Sequence, residues 1–518
     1  MGRESGLSRL TPIFAEVAIQ SQERESVKAG IVVGGVLMTR LLTFVLWGLA
    51  TAACAQVLDT SETRVQTALD PGLKRIGTLV PRSVAEIGAQ NWSLGCETLD
   101  RGFANYDCYK EYLAPLGIRR IRLQGGWATT EREPGKYDFR WLDRVIDDAR
   151  ARGLEIWLET SYGNPVYPGG GGRGLAGGFP TSEEALAAWD KWVQAMATRY
   201  QGKVRDWGMW NEPDGNKAHT PEMTADFNIR TAAVIKGVTA DARIAGGVTC
   251  RPNPEWTEAY LKRLTEQKQE KLFHWFVYHG YTRNPDQGHY ENVEKLKELI
   301  KQYAPHLGLW QGEAGTQSEY CLGGALSKYP WTELKQAKWQ TRRMLGDLGH
   351  DVPSLVFCIA DLDYNRQDGD RLGDMDRYGL IKTDKQYRVL KVKMAYYAVQ
   401  NVVSVFDDTL ERIPDPPCEI QCGADVACFA YRKKATGQPL LTLWTRHDVP
   451  SDDNTTVKAT VTLRQARFQE PVWVDMITGG IHEIPPSMVA IDADAVTFKD
   501  IPLYDAPVVI ADRALMMK

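Results

Sequence analysis

Short apolar runs and amphipathic stretches take turns along the middle of the chain, from about Asn91 to Ser404. The runs are Trp92–Thr98, Arg119–Gln124, Glu155–Thr160, Val204–Trp210, Arg243–Val248, Leu272–Tyr278, Leu307–Gln311 and Leu355–Ile359. Each has the length of a buried strand. Between them lie stretches with helical spacing: Tyr109–Leu116, Arg140–Arg152, Ser182–Arg199, Glu222–Ala240, Pro254–Gln269, Glu291–Tyr303, Trp331–Leu348 and Gln386–Val405. Eight strands, each followed by a helix, must pair in parallel, and eight such units close into an α/β (β/α)8 barrel, the TIM barrel. An open doubly wound sheet would carry a Gly-rich phosphate fingerprint after its first strand, and none follows Trp92–Thr98.

The texture changes after about Asp407. Pro414, Pro416 and Pro417 break the chain, and alternating segments follow at Val426–Tyr431, Leu440–Thr445, Val457–Leu463, Val472–Met476 and Val508–Ala511. Turn signals at Thr436-Gly437, Asp452-Asp453-Asn454 and Gly479-Gly480 separate them. Residues 407–518 thus read as an appended antiparallel β-sandwich. The expected organisation is an N-terminal segment over 56–88, the barrel over 89–406, and the sandwich.

Composition narrows the functions. The 518 residues are 43% hydrophobic and 25% charged, with a net charge of -4, so no basic surplus marks a nucleic-acid or anionic-membrane partner. Sixteen Trp and 21 Tyr offer rings with an apolar face and a polar edge, which suit polyol-like ligands as well as a core.

The stretch from Met38, MTRLLTFVLWGLATAACAQ, has a basic start (Arg40), an apolar run from Leu41 to Ala50, and an A-x-A site at Ala53-Cys54-Ala55. That is the pattern of a cleaved secretory leader over 38–55, implying a secreted or periplasmic protein. The fully apolar run is short for a membrane span. Met38 can serve as a start codon, so residues 1–37 read as a mis-called extension. Cys418, Cys422 and Cys428 cluster around a Pro-rich turn, which suggests a local disulfide in an oxidising compartment. With no His in the cluster and spacings unsuited to a zinc knuckle, no metal or other cofactor is expected.

Chemistry concentrates where strands end, because a barrel places its site at the carboxyl ends of the strands. DWGMWNEPDG carries Glu212 to the end of the fourth strand, where Pro213 stops the ladder. LGLWQGEAG ends the seventh strand, and Glu313 follows, with Gly312 and Gly315 leaving room for close approach. Two carboxyls across a barrel mouth are what glycosidic cleavage needs: one protonates the leaving oxygen, the other meets the oxocarbenium-like centre.

W-N-E-P at the fourth strand and a Glu after the seventh resemble the retaining glycoside hydrolases of clan A, over most of residues 90 to 405. The appended sandwich is most similar to the layout of family 39, with family 5 next. The resemblance implies that Glu212 is the general acid/base and Glu313 the nucleophile. Asn211 would hold the sugar hydroxyl beside the anomeric carbon. His279-Gly280-Tyr281 matches the clan's H-x-Y after strand six: Tyr281 would orient Glu313 and His279 would line the sugar site. Arg122, in RIRLQGGW, matches the arginine that supports the nucleophile by charge.

Other positions keep two readings. Arg122 also suits a plain barrel-interior ion pair, and His279 a satisfied core histidine. Trp127 is either a sugar platform or core packing. The sequence carries Gly312-Glu313-Ala314 where family 39 usually has Thr-Glu-Phe, and CIADLDYN where the clan often has a Trp platform, so Asp361, Asp363 or Tyr364 is expected on that side. Gly163–Gly178, with eight glycines, reads as a lid over substrate or as a loose loop. The reading favoured is a secreted retaining glycosidase with a carbohydrate substrate. The alternative is a non-catalytic carbohydrate-binding protein on the same barrel, disfavoured because both carboxylates and Asn211 are present.

The leader reading makes a direct prediction. N-terminal sequencing of exported protein should start at Gln56, and material beginning at or before Met38 would refute it.

Overall fold

The structure, a computed structural model, describes residues 58–175, 177–364, 375–446 and 448–517. The extension read at 1–37 and the leader at 38–55 lie outside them. Eight parallel strands close a barrel: β1 (Trp92–Gly95), β2 (Arg120–Gln124), β3 (Glu155–Glu159), β4 (Asp206–Gly208), β5 (Arg243–Thr249), β6 (Trp275–His279), β7 (Gly308–Ala314) and β8 (Ser354–Val356). Closure is made by β8 on β1, with Trp92 opposite Ser354. A helix follows every strand, from Tyr106–Leu116 to Met394–Val405. Helix Arg140–Ala151 shows why: Leu142, Val145, Ile146 and Ala149 fall on one face and are buried. Ser182 starts the next helix by accepting a hydrogen bond from the Ala185 N–H at 3.1 Å.

Two elements differ from expectation. The fourth ladder spans only Asp206–Gly208, because the chain turns out of the sheet before Glu212. The eighth helix begins at Met394 rather than Gln386. Val389–Val392 instead pairs antiparallel with Ile381–Thr383, as its alternating β-branched residues favour.

The C-terminal region forms two antiparallel sheets, one of four strands and one of seven. The outermost strand of the larger sheet comes from the other end of the chain: Arg75–Thr78, read only as a segment entering the barrel, pairs with Gly480–Glu483 and covers that edge. The cysteine expectation is corrected. Cys418 and Cys428 approach to 3.7 Å between sulfurs, but every cysteine among the described residues is a free thiol.

Barrel and sandwich meet over buried polar contacts as well as apolar ones. Asn401, on the last barrel helix, donates to the carbonyls of Met476 (3.1 Å) and Ile477 (3.3 Å). Arg342, on helix Glu333–Gly349, binds Asp286 through Nε at 2.9 Å and the Asp448 carbonyl at 3.0 Å, while Trp444 Nε1 donates to the same Asp286 carboxylate at 3.2 Å. Since the Asp286 side chain is only 4% exposed, removing its cation leaves a buried charge uncompensated. Arg342→Ala should therefore lower stability by about 3–5 kcal/mol in denaturant titration. A change within about 0.5 kcal/mol would show that the pair behaves as an exposed one.

Candidate active site

Why a strand of tryptophans should end in a carboxylate becomes clear at β4. Trp207, Met209 and Trp210 are buried, and the chain then enters the left-handed region at Glu212 (φ 50°, ψ 53°), a conformation that a non-glycine residue adopts at some strain. The Glu212 N–H donates to the Val248 carbonyl at 2.9 Å, so β5 holds the bend. Just before it, the Asn211 N–H donates to Ser161 Oγ at 3.0 Å and its Nδ2 to the Tyr162 hydroxyl at 2.7 Å.

Arg122 lies at the centre of the barrel mouth with no exposed surface. Its Nη1 donates to Glu313 Oε2 at 2.5 Å and Glu97 Oε1 at 3.1 Å. Its Nη2 donates to both oxygens of Glu159, at 2.9 and 3.0 Å, and to Asn211 Oδ1 at 2.5 Å. One planar cation thus orders side chains from β3, β7 and the exits of β1 and β4.

Glu313 is held from both sides. The Tyr281 hydroxyl donates to its Oε1 at 2.7 Å. Burial alone would raise its pKa, but the charges of His279 and Arg122 and the bonds from Tyr281 and Arg122 hold it below the usual carboxylate value. His279 Nδ1 lies 2.8 Å from Glu212 Oε1 and 3.7 Å from Glu313 Oε2. Burial pushes the imidazole toward neutrality, yet the charge of Glu313 and the bond to Glu212 raise its pKa above the ordinary value.

These groups open on a cavity of about 580 Å³ whose walls include Glu97, Asn211, Glu212, Tyr281 and Glu313. His279 is fully buried and absent from that wall, so the expectation that it lines the sugar site is corrected: it stands behind the carboxylates and bonds Glu212. Trp127 is not a platform. It is wholly buried, stacked on Tyr167 and Trp192, with Nε1 bonded to Glu131 at 2.6 Å. On the eighth-strand side Tyr364 lines the cavity, whereas Asp361 is buried in ion pairs with Lys393 (2.6 Å) and Arg377 (3.2 Å), and Asp363 is outside the wall. The room around Glu313 serves the protein's own packing. A Cβ on Gly312 would lie 2.3 Å from Val277 Cγ1, and one on Gly315 2.0 Å from the Phe357 carbonyl.

The Gly-rich loop brings Arg173, Gly174 and Leu175 to the cavity and folds on itself, with Gly163 N–H donating to the Gly172 carbonyl at 2.9 Å. Glu97, Glu159 and Tyr162 were missed. The signal that exposed Glu212, a carboxylate at the carboxyl end of a barrel strand, was present for both glutamates in LGCET and EIWLET. One atom each of Glu212, His279 and Glu313 lie within 4.8 Å of one another, near enough to share a cation. Both Glu313 oxygens are already engaged by Arg122 and Tyr281, so the cluster is assembled around protein donors.

Because Glu313 is favoured as the anion, its share of stability exists above the ordinary value of 4.5 and is lost as pH falls through the lower folded value. Tyr281→Phe should cost roughly 1.5–3 kcal/mol at pH 7, and less once the pH falls through that lowered value and the carboxyl protonates. Urea denaturation at pH 7 and across that acid range checks this, and an equal loss throughout would contradict it.

Comparisons with known proteins agree on the architecture. A family model of glycoside hydrolase family 42, β-galactosidase, matches residues 111–168. The β-galactosidase BgaA of Clostridium cellulovorans is 26% identical over 136 residues, and the match spans 23% of this chain and 21% of that protein. A family 39 glycoside hydrolase from Bacteroides cellulosilyticus superposes with a TM-score of 0.60 at 16% identity, over 84% of this chain and 83% of that one. A monomeric β-xylosidase from Caulobacter crescentus gives 0.53 at 16% identity, over 85% and 98%. A family 30 subfamily 8 xylanase from Clostridium acetobutylicum gives 0.52 at 12%, over 85% and 98%. These superpositions, each over 84–85% of this chain, show that the likeness lies in the fold.

Proposed function

We propose that this chain is an exported glycoside hydrolase that cleaves O-glycosidic bonds of an oligo- or polysaccharide with retention, by double displacement. The observation that carries the reading is the separation of Glu212 and Glu313, whose nearest oxygens lie within 4.8 Å. Retaining enzymes hold their carboxyl groups about 5–5.5 Å apart, whereas inverting enzymes leave ~6.5–9.5 Å for a water molecule. The asymmetry of the two sites supports the assignment of roles. Glu313, bonded by Arg122 and Tyr281, is kept ionised and oriented as a nucleophile. Glu212 stands beside a single imidazole and faces the cavity, where it can give a proton to the leaving oxygen and later take one from water. The Asn211 amide, fixed by Arg122 and Tyr162, faces the same space and is placed to bond a sugar hydroxyl. Aryl β-galactosides and β-xylosides, suggested by what the relatives act on, form the first substrate panel.

The two glutamates should respond differently to deletion. Glu212→Ala should lose about 10²–10⁴-fold on substrates with poor leaving groups, keep much of its first step on dinitrophenyl glycosides, and regain turnover with azide. Glu313→Ala should lose the first step for every leaving group, because no covalent intermediate can form. Leaving-group tolerance in Glu313→Ala instead would reverse the assignment. A parent protein that binds these sugars in calorimetry but turns none over would support the carbohydrate-binding alternative.

A further inference from the structure

A third carboxyl shares the cation that holds Glu313. Glu97, at the exit of β1, accepts from the same Arg122 Nη1 that bonds Glu313, is 4% exposed, and lines the cavity beside Glu313. Its Oε2 is buried without a hydrogen-bond partner, an unfavourable position for an anion. Charge balance points the same way. With Glu97 neutral, Glu159 and Glu313 balance Arg122 and a protonated His279. With Glu97 ionised as well, three carboxylates face those same two cations. We propose that Glu97 is a positioning residue that exchanges charge with Glu313. It carries a proton while Glu313 is ionised, and releases it to cavity water when Glu313 loses its charge to a glycosyl bond.

Atoms and charges balance over the cycle. In the first step the Glu313 carboxylate bonds the anomeric carbon, the glycosidic bond breaks, and Glu212 supplies the proton of the leaving oxygen. That leaves Glu212 as a carboxylate bonded to His279; Glu97 then ionises, and Arg122 again faces two carboxylates, Glu159 and Glu97. In the second step water attacks, Glu212 recovers a proton from that water, Glu313 departs as the anion, and Glu97 takes a proton back from solvent. The groups around Glu97 permit this. Burial pushes its pKa up to about 7, Arg122 opposes the rise, and the charges of Glu313 and Glu159 reinforce it. Cys96 beside it, Cys358 beyond β8 and Tyr109 on the first helix are all driven well upward by burial and stay neutral.

The inference rests on Glu313 as the nucleophile, so its test separates the two ideas. Trapping the enzyme with 2,4-dinitrophenyl 2-deoxy-2-fluoro-β-glycosides, followed by peptide mass analysis, reports the covalent bond. A pH dye in weakly buffered solution reports protons. At pH 7 trapping should release about half a proton per labelled site beyond that of the leaving phenol, and Glu97→Gln should label without that release. Labelling without proton release in the parent overturns the exchange and leaves the nucleophile intact.

A second measurement needs no turnover. Glu97 should hold its proton more tightly folded than unfolded, so the parent should lose stability relative to Glu97→Gln as pH rises from about 4.5 to 7. The unfolding equilibrium constant should change by roughly two orders of magnitude over that range. In a Glu313→Gln background the fall should shrink and move to lower pH. The same fall in both backgrounds would overturn the exchange even if no glycoside labels the protein.

Discussion

Arg122 is wholly buried, so the hydration that would stabilise its charge must be replaced by carboxylates and amide oxygens. That one requirement organises the barrel mouth. Glu159 from β3 takes Nη2, Glu97 and Glu313 divide Nη1, and Asn211 accepts from the same fork. A lysine could not meet this geometry, since a point charge on a flexible stem cannot bond four partners in fixed directions. The strength of the arrangement lies in what deletion would do. Each carboxylate is tolerable in the interior only while the cation remains, and the cation only while they remain. The stiff constellation that results suits the proposed chemistry on a sugar, because catalytic groups displaced by about 1 Å lose much of their effect.

The rest of the fold supports that constellation. Parallel strands bring four different chain segments to one rim, and β-bulge-like register shifts occur near it, between Tyr278 and His279 on β6 and between Gln311 and Ala314 on β7. Such shifts re-aim side chains, and here they fall at His279 and Glu313. Below the site, Trp157 and Trp310 stack with ring centroids 4.3 Å apart, and Arg122 lies 5.3 Å from the Trp157 ring. These two tryptophans form an apolar floor beneath the ion network.

Much of this was legible in the chain because barrel periodicity and strand-end chemistry are local signals. The eight strand–helix units, Glu212, Glu313, Tyr281 and Arg122 can each be read from a dozen residues around them. What escaped depends on distant packing. Whether Trp127 faces sugar or core is decided by Tyr167, Trp189 and Trp192, which come from another loop and helix. His279 was placed at the sugar because its position matches a motif, but its side chain turns behind the carboxylates toward Glu212. Glu97 and Glu159 show the opposite failure. Their strand-end positions were visible, but a single buried cation able to hold three carboxyl groups has no sequence signature. Arg75–Thr78 was likewise invisible as a sandwich strand, since its partner lies some four hundred residues away in the chain.

The proposed reaction depends on a carboxylate pair close enough for direct attack by Glu313. The anomeric configuration of the first product, followed by proton NMR on an aryl glycoside before mutarotation, tests that claim most directly. The close spacing predicts that a β-glycoside yields the β-sugar first. An α-sugar as the first product would mean that water, not Glu313, attacks the anomeric carbon, and would contradict the account.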